Sequence, residues 1–202
     1  RSCYFNQPKM DKVHAALRWI LADGAGALVL QANQNGKPGH EIVGTFVESV
    51  GAGRPAGMTA GGAATDLMSA KHQIPELYAD GTHHLWQDFS AVNDNAAPLL
   101  LQGLCNFTKL MNIEPGTVDH YVVSIPTLQL YEDHIPAFLD RLNITRDKIK
   151  FRSGKIGYCG GAATLLHLDE MVRAGEIHPG QLAVVHAVES SKWMTAGFAV
   201  RR

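Results

Sequence analysis

Residues 157–188 decide the fold, and they read GYCGGAATLLHLDEMVRAGEIHPGQLAVVHAV. Their glycine-rich start predicts a turn that opens a helix, on one face of which Leu165, Leu168 and Val172 fall. A glycine and then a Pro-Gly pair end that helix. The run that follows, 182–188, is apolar almost throughout, as expected of a central strand that is covered on both faces. The stretch therefore predicts a helix packed against a buried strand.

Helix and strand patterns alternate along the rest of the chain. The predicted strands lie at 27–32, 41–50, 120–125 and 149–152, before the two closing strands, and the other predicted helices lie at 95–111 and 135–142. A segment rich in glycine, alanine and proline at 51–62 predicts a loop. The alternation indicates an α/β layered domain with a mixed five-stranded sheet covered by helices.

Composition narrows the class of protein. Hydrophobic residues make up 46% and charged residues 18% of the 202 residues, which is enough to build a sizeable core. The net charge of -1 gives no electrostatic reason to expect a nucleic-acid partner. No apolar run approaches the ~20 residues that a membrane-spanning helix needs. We therefore expect a cytoplasmic protein with neither a nucleic-acid nor a membrane partner.

Side chains that bind metals or form disulfides are few. The three cysteines, Cys3, Cys105 and Cys159, have irregular spacing and indicate neither a disulfide framework nor a zinc site. Cys105 falls in a helical pattern, where a free thiol is most simply a small buried apolar group. His83 and His84 are adjacent and have no second ligand pair at a suitable spacing. We predict no metal site.

Residues 157–188 resemble the C-terminal end of ketoacyl-acyl-carrier-protein synthase III, in the thiolase superfamily. The corresponding stretch of that family reads like GNTSAAS followed by a helix that ends in LDEAVR-G-I-PGD. The resemblance continues over nearly the whole chain in the same order. Residues 22–27 (ADGAGA) are similar to the family's FGDGAGA turn, 119–124 (DHYVVS) to the strand that carries its PHQAN motif, and 193–197 (WMTAG) to its final TWG strand.

The resemblance also implies a missing companion. Family members consist of two similar halves, so residues 1–35 are expected to be the end of the N-terminal half and residues 36–202 the C-terminal half. The family's nucleophilic cysteine lies in the half that precedes this sequence, and no cysteine here matches its position. A C-terminal half alone would expose apolar helix faces. We therefore expect a companion segment, in the same protein or on another chain, and assembly as a homodimer or heterodimer.

The chemistry of the family implies the substrates. A cysteine thiolate takes an acyl group from coenzyme A, and a histidine and an asparagine then assist the carbanion that forms from a malonyl-carrier thioester. For this chain the resemblance implies a coenzyme A or phosphopantetheine thioester as substrate. It also implies an acyl-carrier protein or acyl-coenzyme A as partner, and no permanently bound cofactor.

The family's site residues are replaced at the matching positions. Its histidine falls on Ser124, the asparagine of HQAN on Thr127, and the asparagine of the GNT turn on Tyr158. The family arginine that helps to hold the pantetheine phosphate falls on Gln129. The resemblance therefore implies a site of the same outline that lacks both side chains that assist decarboxylation.

A second alignment remains open at the strand. Counting backward from the predicted helix at 135–142 puts Leu128 at the histidine position, because this sequence has about one helical turn more between strand and helix. Neither alignment supplies a histidine. His120 and His134 are the candidates to substitute for it, although each is more simply a partly exposed polar residue.

The closing loop departs from the family as well. Where the family has GFGGG, this chain has HAVESS at 186–191. A backbone N–H group at Glu189 or Ser190 is able to serve as the oxyanion donor, since it survives substitution of the side chain. The Glu189 carboxylate would repel an oxyanion. It therefore either carries a proton or braces the loop by accepting hydrogen bonds from the neighbouring backbone.

Two functions fit these observations. The first is an acyltransferase of the ketoacyl synthase III type that passes an acyl group from a thioester to another acceptor, in fatty-acid-like or polyketide metabolism. The second is a catalytically degenerate partner subunit of a heteromeric synthase. We prefer the first, because the substituted residues are reactive or hydrogen-bonding types. The predicted catalytic residues, expected to meet at the C-terminal ends of the sheet strands, are Ser124, Tyr158 and Glu189, and the predicted substrate-binding residues are Thr127, Gln129, Cys159 and Ser190.

Overall fold

The computed structural model describes residues 12–33, 36, 39–60, 75, 79 and 84–202. Cys3 and His83 lie outside these residues. The helices are α1 (Lys12–Ile20), α2 (Phe89–Leu110), α3 (Leu128–Leu142), α4 (Ser153–Ile156) and α5 (Ala162–Arg173). The strands are β1 (Glu41–Ser49), β2 (Met58–Ala60), β3 (Leu85–Gln87), β4 (His120–Val123), β5 (Leu182–Glu189) and β6 (Met194–Arg201). Among these residues, no helix combines the length and apolar character needed to cross a bilayer.

Strand β5 lies inside a mixed sheet. The strand order is β1-β6-β5-β4. Strand β6 is antiparallel to both β1 and β5, whereas β5 is parallel to β4. Leu182, Ala183, Val184 and Val185 are all buried, so the predicted central strand is confirmed. A strand that is apolar on both faces needs a helix layer on each side.

Two helix layers cover the sheet. On one face, Leu104 and Phe107 of α2 and Phe138 of α3 share a core with Val184 of β5. On the other face, α5 packs against β4 and β5, where its buried side chains meet those of both strands. The predicted layered α/β architecture is thereby confirmed.

The sheet has four strands in the described part of the chain, whereas the sequence predicts five. Residues 149–152 form no strand and follow a short 3-10 turn at Arg146–Lys148. The predicted strand at 27–32 is likewise absent, and these residues are exposed. Both segments have strand-like side chains, but a strand forms only where a neighbour completes its hydrogen-bond ladder.

Two helices begin earlier than the hydrophobic pattern predicts. Helix α2 starts at Phe89 because the Asp88 side chain accepts a hydrogen bond from the Ala91 N–H at 3.0 Å. Helix α3 starts at Leu128 because Thr127 caps it in the same way, through the Leu130 N–H at 3.2 Å. A cap satisfies an N–H group that otherwise has no partner. Each helix therefore begins directly after its cap, before the start that the hydrophobic pattern predicts.

Helix α5 has two contact faces. Ala163, His167 and Met171 face the sheet and are buried. The predicted stripe of Leu165, Leu168 and Val172 instead lines a groove, with only Leu168 buried. Segment 25–30 forms the opposite wall of this groove. The sequence therefore identifies an apolar face correctly, but that face is turned mainly toward the segment and only partly toward the sheet.

Two glycines explain how segment 25–30 and the end of α5 are built. A Cβ at Gly26 would lie 2.7 Å from the Cβ of Leu165, so only glycine lets the segment approach the helix so closely. At the other end of α5, Gly175 has a φ of 69° and lies in open space, as expected of the glycine that ends a helix. Its N–H donates to the Val172 carbonyl at 3.1 Å.

We predict that Gly175→Ala lowers the free energy of unfolding by about 1 kcal/mol, because alanine is strained in the left-handed conformation. Gly161→Ala is the matched control, since Gly161 also lies in open space but has a φ of -60° at the start of the same helix. The control is expected to be neutral or slightly stabilising. Urea denaturation of both variants measures the difference, and equal effects would contradict the assigned helix end.

Candidate active site

The C-terminal ends of β4 and β5 lie at the same edge of the sheet, because the two strands are parallel with Val123 opposite His186. Ser124 follows β4 directly. Its hydroxyl is buried and has no hydrogen-bond partner. A buried hydroxyl without a hydrogen bond lowers the stability of the folded state. Its presence here marks this edge of the sheet as a candidate site.

Tyr158 lies in the loop between α4 and α5. The loop is anchored through its backbone, since the Ala22 N–H donates to the Tyr158 carbonyl at 2.7 Å. The phenol hydroxyl of Tyr158 makes no hydrogen bond with the described residues, and burial raises its pKa. Burial also raises the pKa of the neighbouring Cys159 thiol, whose sulfur lies against Gly24. Both groups are therefore protonated at neutral pH.

His167 is the site residue that sequence reasoning missed. It is fully buried on α5, and its ring lies against the backbone of Val123 and of Gly157. Burial lowers its pKa more than these backbone groups raise it, so the ring is neutral at neutral pH. The available signal was its spacing, because Ala163 and Met171 lie four residues to either side on the buried face.

Ser124 and Tyr158 each follow a residue whose backbone contacts His167. Ser124 follows Val123 and Tyr158 follows Gly157, the two residues whose backbone faces the His167 ring. Glu189 lies at the end of β5, three residues beyond the partner of Val123, or about 10 Å along the strand. The site therefore contains a close group around His167 and an adjoining turn that begins at Glu189.

The Glu189 carboxylate braces this turn. It accepts hydrogen bonds from the N–H groups of Ser191 at 2.9 Å, Lys192 at 2.9 Å and Met194 at 3.2 Å, and also from the Ser191 hydroxyl. Burial alone would raise the pKa of Glu189, but these hydrogen bonds outweigh it and lower the pKa. The geometry favours the bracing interpretation over that of a proton carrier. Ser190 is held from the other side, because its carbonyl accepts from the Gly57 N–H at 2.8 Å.

The remaining predicted site residues take structural positions. Thr127 is the cap of α3, and Gln129 is an exposed residue that donates to Asp133 at 2.7 Å. Leu128, the alternative alignment of the family histidine, is 55% exposed at the start of α3. Their roles in substrate binding remain predictions.

The two histidines considered as substitutes lie elsewhere. His120 is at the opposite end of β4 from Ser124 and lies 3.2 Å from the Gln181 side chain. His134 is half-buried within α3. Neither adjoins the group around His167. His186 lies opposite Val123 but faces Phe107 on the other side of the sheet, so His167 is the imidazole on the α5 face of this edge among the described residues.

An ion-pair network fixes the loop that carries Tyr158. Arg152 pairs with Glu170 at 2.5 Å and with Glu176 at 2.6 Å, and its side chain is only 11% exposed. Lys155 also pairs with Glu170 at 2.5 Å. Because Arg152 and Lys155 belong to the α4 turn, these contacts tie that turn to α5 and set the position of Gly157 and Tyr158.

The described residues contain no cluster of three His, Cys, Asp or Glu side chains that is able to hold a metal ion. His84 is buried and packs edge-on against His14 with ring centroids 4.9 Å apart. Cys105 is half-buried and packs against the main core.

We predict that Glu189→Gln lowers stability at neutral pH and that the deficit shrinks on acidification. The pKa of Glu189 is depressed in the folded state, so its contribution is present above the ordinary carboxylate pKa of about 4.3 and is lost as the pH falls through the lower folded value. Glu41→Gln, at an exposed carboxylate on β1, is the control. Denaturation midpoints between pH 3 and pH 7 measure the effect, and a deficit that is independent of pH would contradict the bracing role.

Comparisons with known proteins agree with this architecture. Residues 111–195 match the family described as the C-terminal domain of 3-oxoacyl-(acyl-carrier-protein) synthase III. The comparison with curated protein sequences gives no significant match.

Solved structures of the same fold are similar to the chain at low sequence identity. The 3-oxoacyl-(acyl carrier protein) synthase III from Pseudomonas aeruginosa PAO1 has a TM-score of 0.71 and 16% identity, over 96% of this chain and 54% of that one. A tetronic acid condensing enzyme has a TM-score of 0.61 and 18% identity, and the match covers 81% of this chain and 47% of that one. The 3-oxoacyl-(acyl-carrier-protein) synthase III from Aquifex aeolicus VF5 has a TM-score of 0.60 and 15% identity, and the match covers 81% of this chain and 45% of that one.

The chain thus spans about half the length of each of these three proteins. The matched region runs from the end of α2 to the start of β6 and includes Ser124, Tyr158 and Glu189. Residues 111–195 therefore match the C-terminal region of the 3-oxoacyl-(acyl-carrier-protein) synthase III family, and the described part of the chain has the thiolase-like α/β fold of the solved structures.

Proposed function

We propose that the chain is part of an acyltransferase of the ketoacyl synthase III type, which moves an acyl group from a coenzyme A or carrier-protein thioester to an acceptor. The observation that carries the proposal is the match of residues 111–195 to the synthase III C-terminal domain, because this region contains the polar edge around Ser124 and Tyr158. Fatty-acid-like or polyketide metabolism, in the cytoplasm, is the setting that we propose for it.

The site residues suit a transfer step more than a decarboxylation. The free phenol hydroxyl of Tyr158 is able to position an acceptor, and the Ser124 hydroxyl is able to donate a hydrogen bond to the reacting group. In the transfer, the nucleophile of the proposed N-terminal half attacks the thioester carbonyl, the carbon–sulfur bond breaks, and the nucleophile's proton goes to the departing thiolate. The acceptor oxygen or nitrogen then attacks the acyl-enzyme carbonyl, the bond to the nucleophile breaks, and the acceptor's proton returns to the nucleophile. Glu189 contributes by bracing the turn, and the backbone N–H of Glu189 or Ser190 is the proposed oxyanion donor.

A companion is part of this proposal. Trp19 is 91% exposed and Val29 is 98% exposed, which is unusual for side chains of this size. The groove between segment 25–30 and α5 has a volume of about 420 Å³ and an apolar wall that includes Leu165. We propose that an N-terminal half, in the same protein or on a companion chain, covers these surfaces and supplies the nucleophile, and that the assembly is a homodimer or heterodimer.

The remaining partners follow from the same chemistry. The proposed substrates are thioesters of coenzyme A or of the phosphopantetheine of an acyl-carrier protein, with no permanently bound cofactor. Thr127, Gln129, Cys159 and Ser190 remain the proposed substrate-binding residues.

A second function is a catalytically degenerate subunit that completes a heteromeric synthase. It is favoured by the resemblance, in which the family histidine falls on Ser124 or Leu128 and the asparagine on Tyr158. The two functions differ in the residue at the start of the buried helix of the preceding half, because only an acyltransferase needs a nucleophile there. The intact mass of the purified protein shows whether that half belongs to the same polypeptide.

We predict that decarboxylation of a malonyl thioester is weak in the assembled protein. Each missing charge-stabilising side chain commonly contributes on the order of 2–4 kcal/mol to such steps, or roughly 10²–10³ in rate. Release of carbon dioxide from a malonyl-carrier thioester measures it, with an ordinary synthase III as the reference. Turnover equal to the reference would contradict the proposed loss of condensation.

We also predict that Tyr158→Phe reduces acyl transfer and leaves stability nearly unchanged, because the hydroxyl has no partner within the described residues. Tyr131→Phe is the matched control, since its hydroxyl donates to the Ile149 carbonyl at 2.8 Å within the core. The control is expected to lose about 1 kcal/mol of stability and to keep its transfer rate. If Tyr158→Phe leaves both acyl transfer and the assembly intact, the degenerate subunit is the better description.

A further inference from the structure

Two polar side chains without partners lie on either side of the Val123 backbone at the candidate site. The hydroxyl of Ser124 and both ring nitrogens of His167 are buried and make no hydrogen bond in this structure. His167 is 0% exposed, so water at the surface does not reach its ring. Buried polar groups nearly always find a partner, because leaving one without a hydrogen bond is unfavourable. Two such groups in one place require an explanation.

The strand geometry turns Ser124 toward the helix that carries His167. Side chains alternate between the faces of a strand, and Val122 packs against α5 while Val123 packs in the core on the other face. Ser124 comes directly after the last residue of β4, and continuation of this alternation by one residue turns its side chain toward α5. The His167 ring lies against the backbone of Val123, one residue away.

The donors and acceptors of the two groups are complementary. A neutral imidazole has one N–H donor and one nitrogen acceptor. Carbonyl oxygens of Val123 and Gly157 face the ring and are able to accept its N–H. The other nitrogen needs a donor, and two buried hydroxyls without partners lie on elements that contact α5, namely Ser124 after β4 and Ser153 of α4. Ser124 is the better candidate, because it adjoins Val123, whose backbone faces the ring.

We propose that His167 is a positioning residue of the site, whose unprotonated ring nitrogen accepts a hydrogen bond from the Ser124 hydroxyl, directly or through one buried water. A buried water is able to bridge polar groups of this kind. The ring N–H donates to the Gly157 carbonyl and thereby links the end of β4 to the loop of Tyr158. The role of this pair in acyl transfer rests on the proposed function, whereas the pair itself does not.

The other charged and titratable groups around α5 are known, so the effect of Ser124 can be separated from theirs. Arg152 lowers and Glu170 raises the pKa of His167. The side chains of β5 on the α5 face are Ala183, Val185 and Ala187, which do not titrate. Titratable groups around α5 also include Lys155, His120, Tyr158, Cys159 and Asp23, and on the groove side His40, Asp169 and Arg173. Tyr121 and His186 face the other side of the sheet, and Glu189 lies in the turn after β5.

The test compares Ser124→Ala with Ser124→Thr in the full protein by nuclear magnetic resonance of histidine labelled with ¹⁵N in the ring. Ser124→Ala removes a hydrogen bond to the neutral ring, so the pKa of His167 is expected to rise by roughly one half to one pH unit. The ¹⁵N chemical shift of the acceptor ring nitrogen is expected to change with it at pH 7. Ser124→Thr keeps the hydroxyl and is expected to restore both values. His186, equally buried and also without a partner, lies on the opposite face of the sheet between Phe46 and Phe107 and is the internal control.

A His167 signal that is the same in wild type and Ser124→Ala would overturn the proposal, and so would equal changes in the alanine and threonine variants. Acyl transfer is measured on the same samples, with a loss expected for Ser124→Ala and recovery for Ser124→Thr. Absence of transfer in the wild type would contradict the proposed function alone, because the resonance signals still report whether the pair exists.

Discussion

The burial of β5 is the constraint on which the rest of the structure depends. Its side chains from Leu182 to Val185 are apolar on both faces, and its backbone is hydrogen-bonded to β4 on one side and to β6 on the other. Such a strand is stable only between two helix layers. Helices α2 and α3 provide one layer and α5 provides the other. The parallel pairing of β4 with β5 then places the C-terminal ends of two strands at one edge, where the candidate site lies.

Helix α5 connects the core to the site. Its sheet-facing side contributes to the core through Leu168 and Met171, and the same side carries His167 to the end of β4. Its other side lines the groove against segment 25–30. A helix with contact surfaces on two sides is typical of a central layer between sheets. The position of His167 is therefore set by packing, and its chemistry is available only because the core already holds the helix in place.

The site shows how burial and hydrogen bonding divide similar groups into different roles. Glu189 accepts four hydrogen bonds from its own turn and remains a carboxylate, which makes it a brace. Tyr158 keeps a hydroxyl that the protein does not use, within a loop that is fixed by the ion pairs of Arg152. Ser124 and His167 lack partners inside the protein. Groups of the last two kinds are free to bind a substrate or each other, and they are the reason to assign chemistry to this edge.

The sequence by itself determined the elements whose signal is local. The apolar run of β5, the helix of α5 and the glycine that ends it are all confirmed, because each depends on side-chain periodicity or on a backbone conformation that one residue type favours. The order of motifs also indicated the family that the chain resembles, as the match over residues 111–195 confirms. The candidate positions Ser124 and Tyr158 follow from that order as well.

Only the tertiary structure decided which strand-like segments find a partner and which polar groups meet. Residues 149–152 and 27–32 have side chains suited to strands, yet strand formation depends on a neighbouring ladder that no local pattern reveals. His167 is an ordinary helix residue in the sequence, and it becomes part of the site because α5 crosses β4 at Val123. Contacts between residues far apart in the chain are set by packing of whole elements, so they appear only when the layers are assembled.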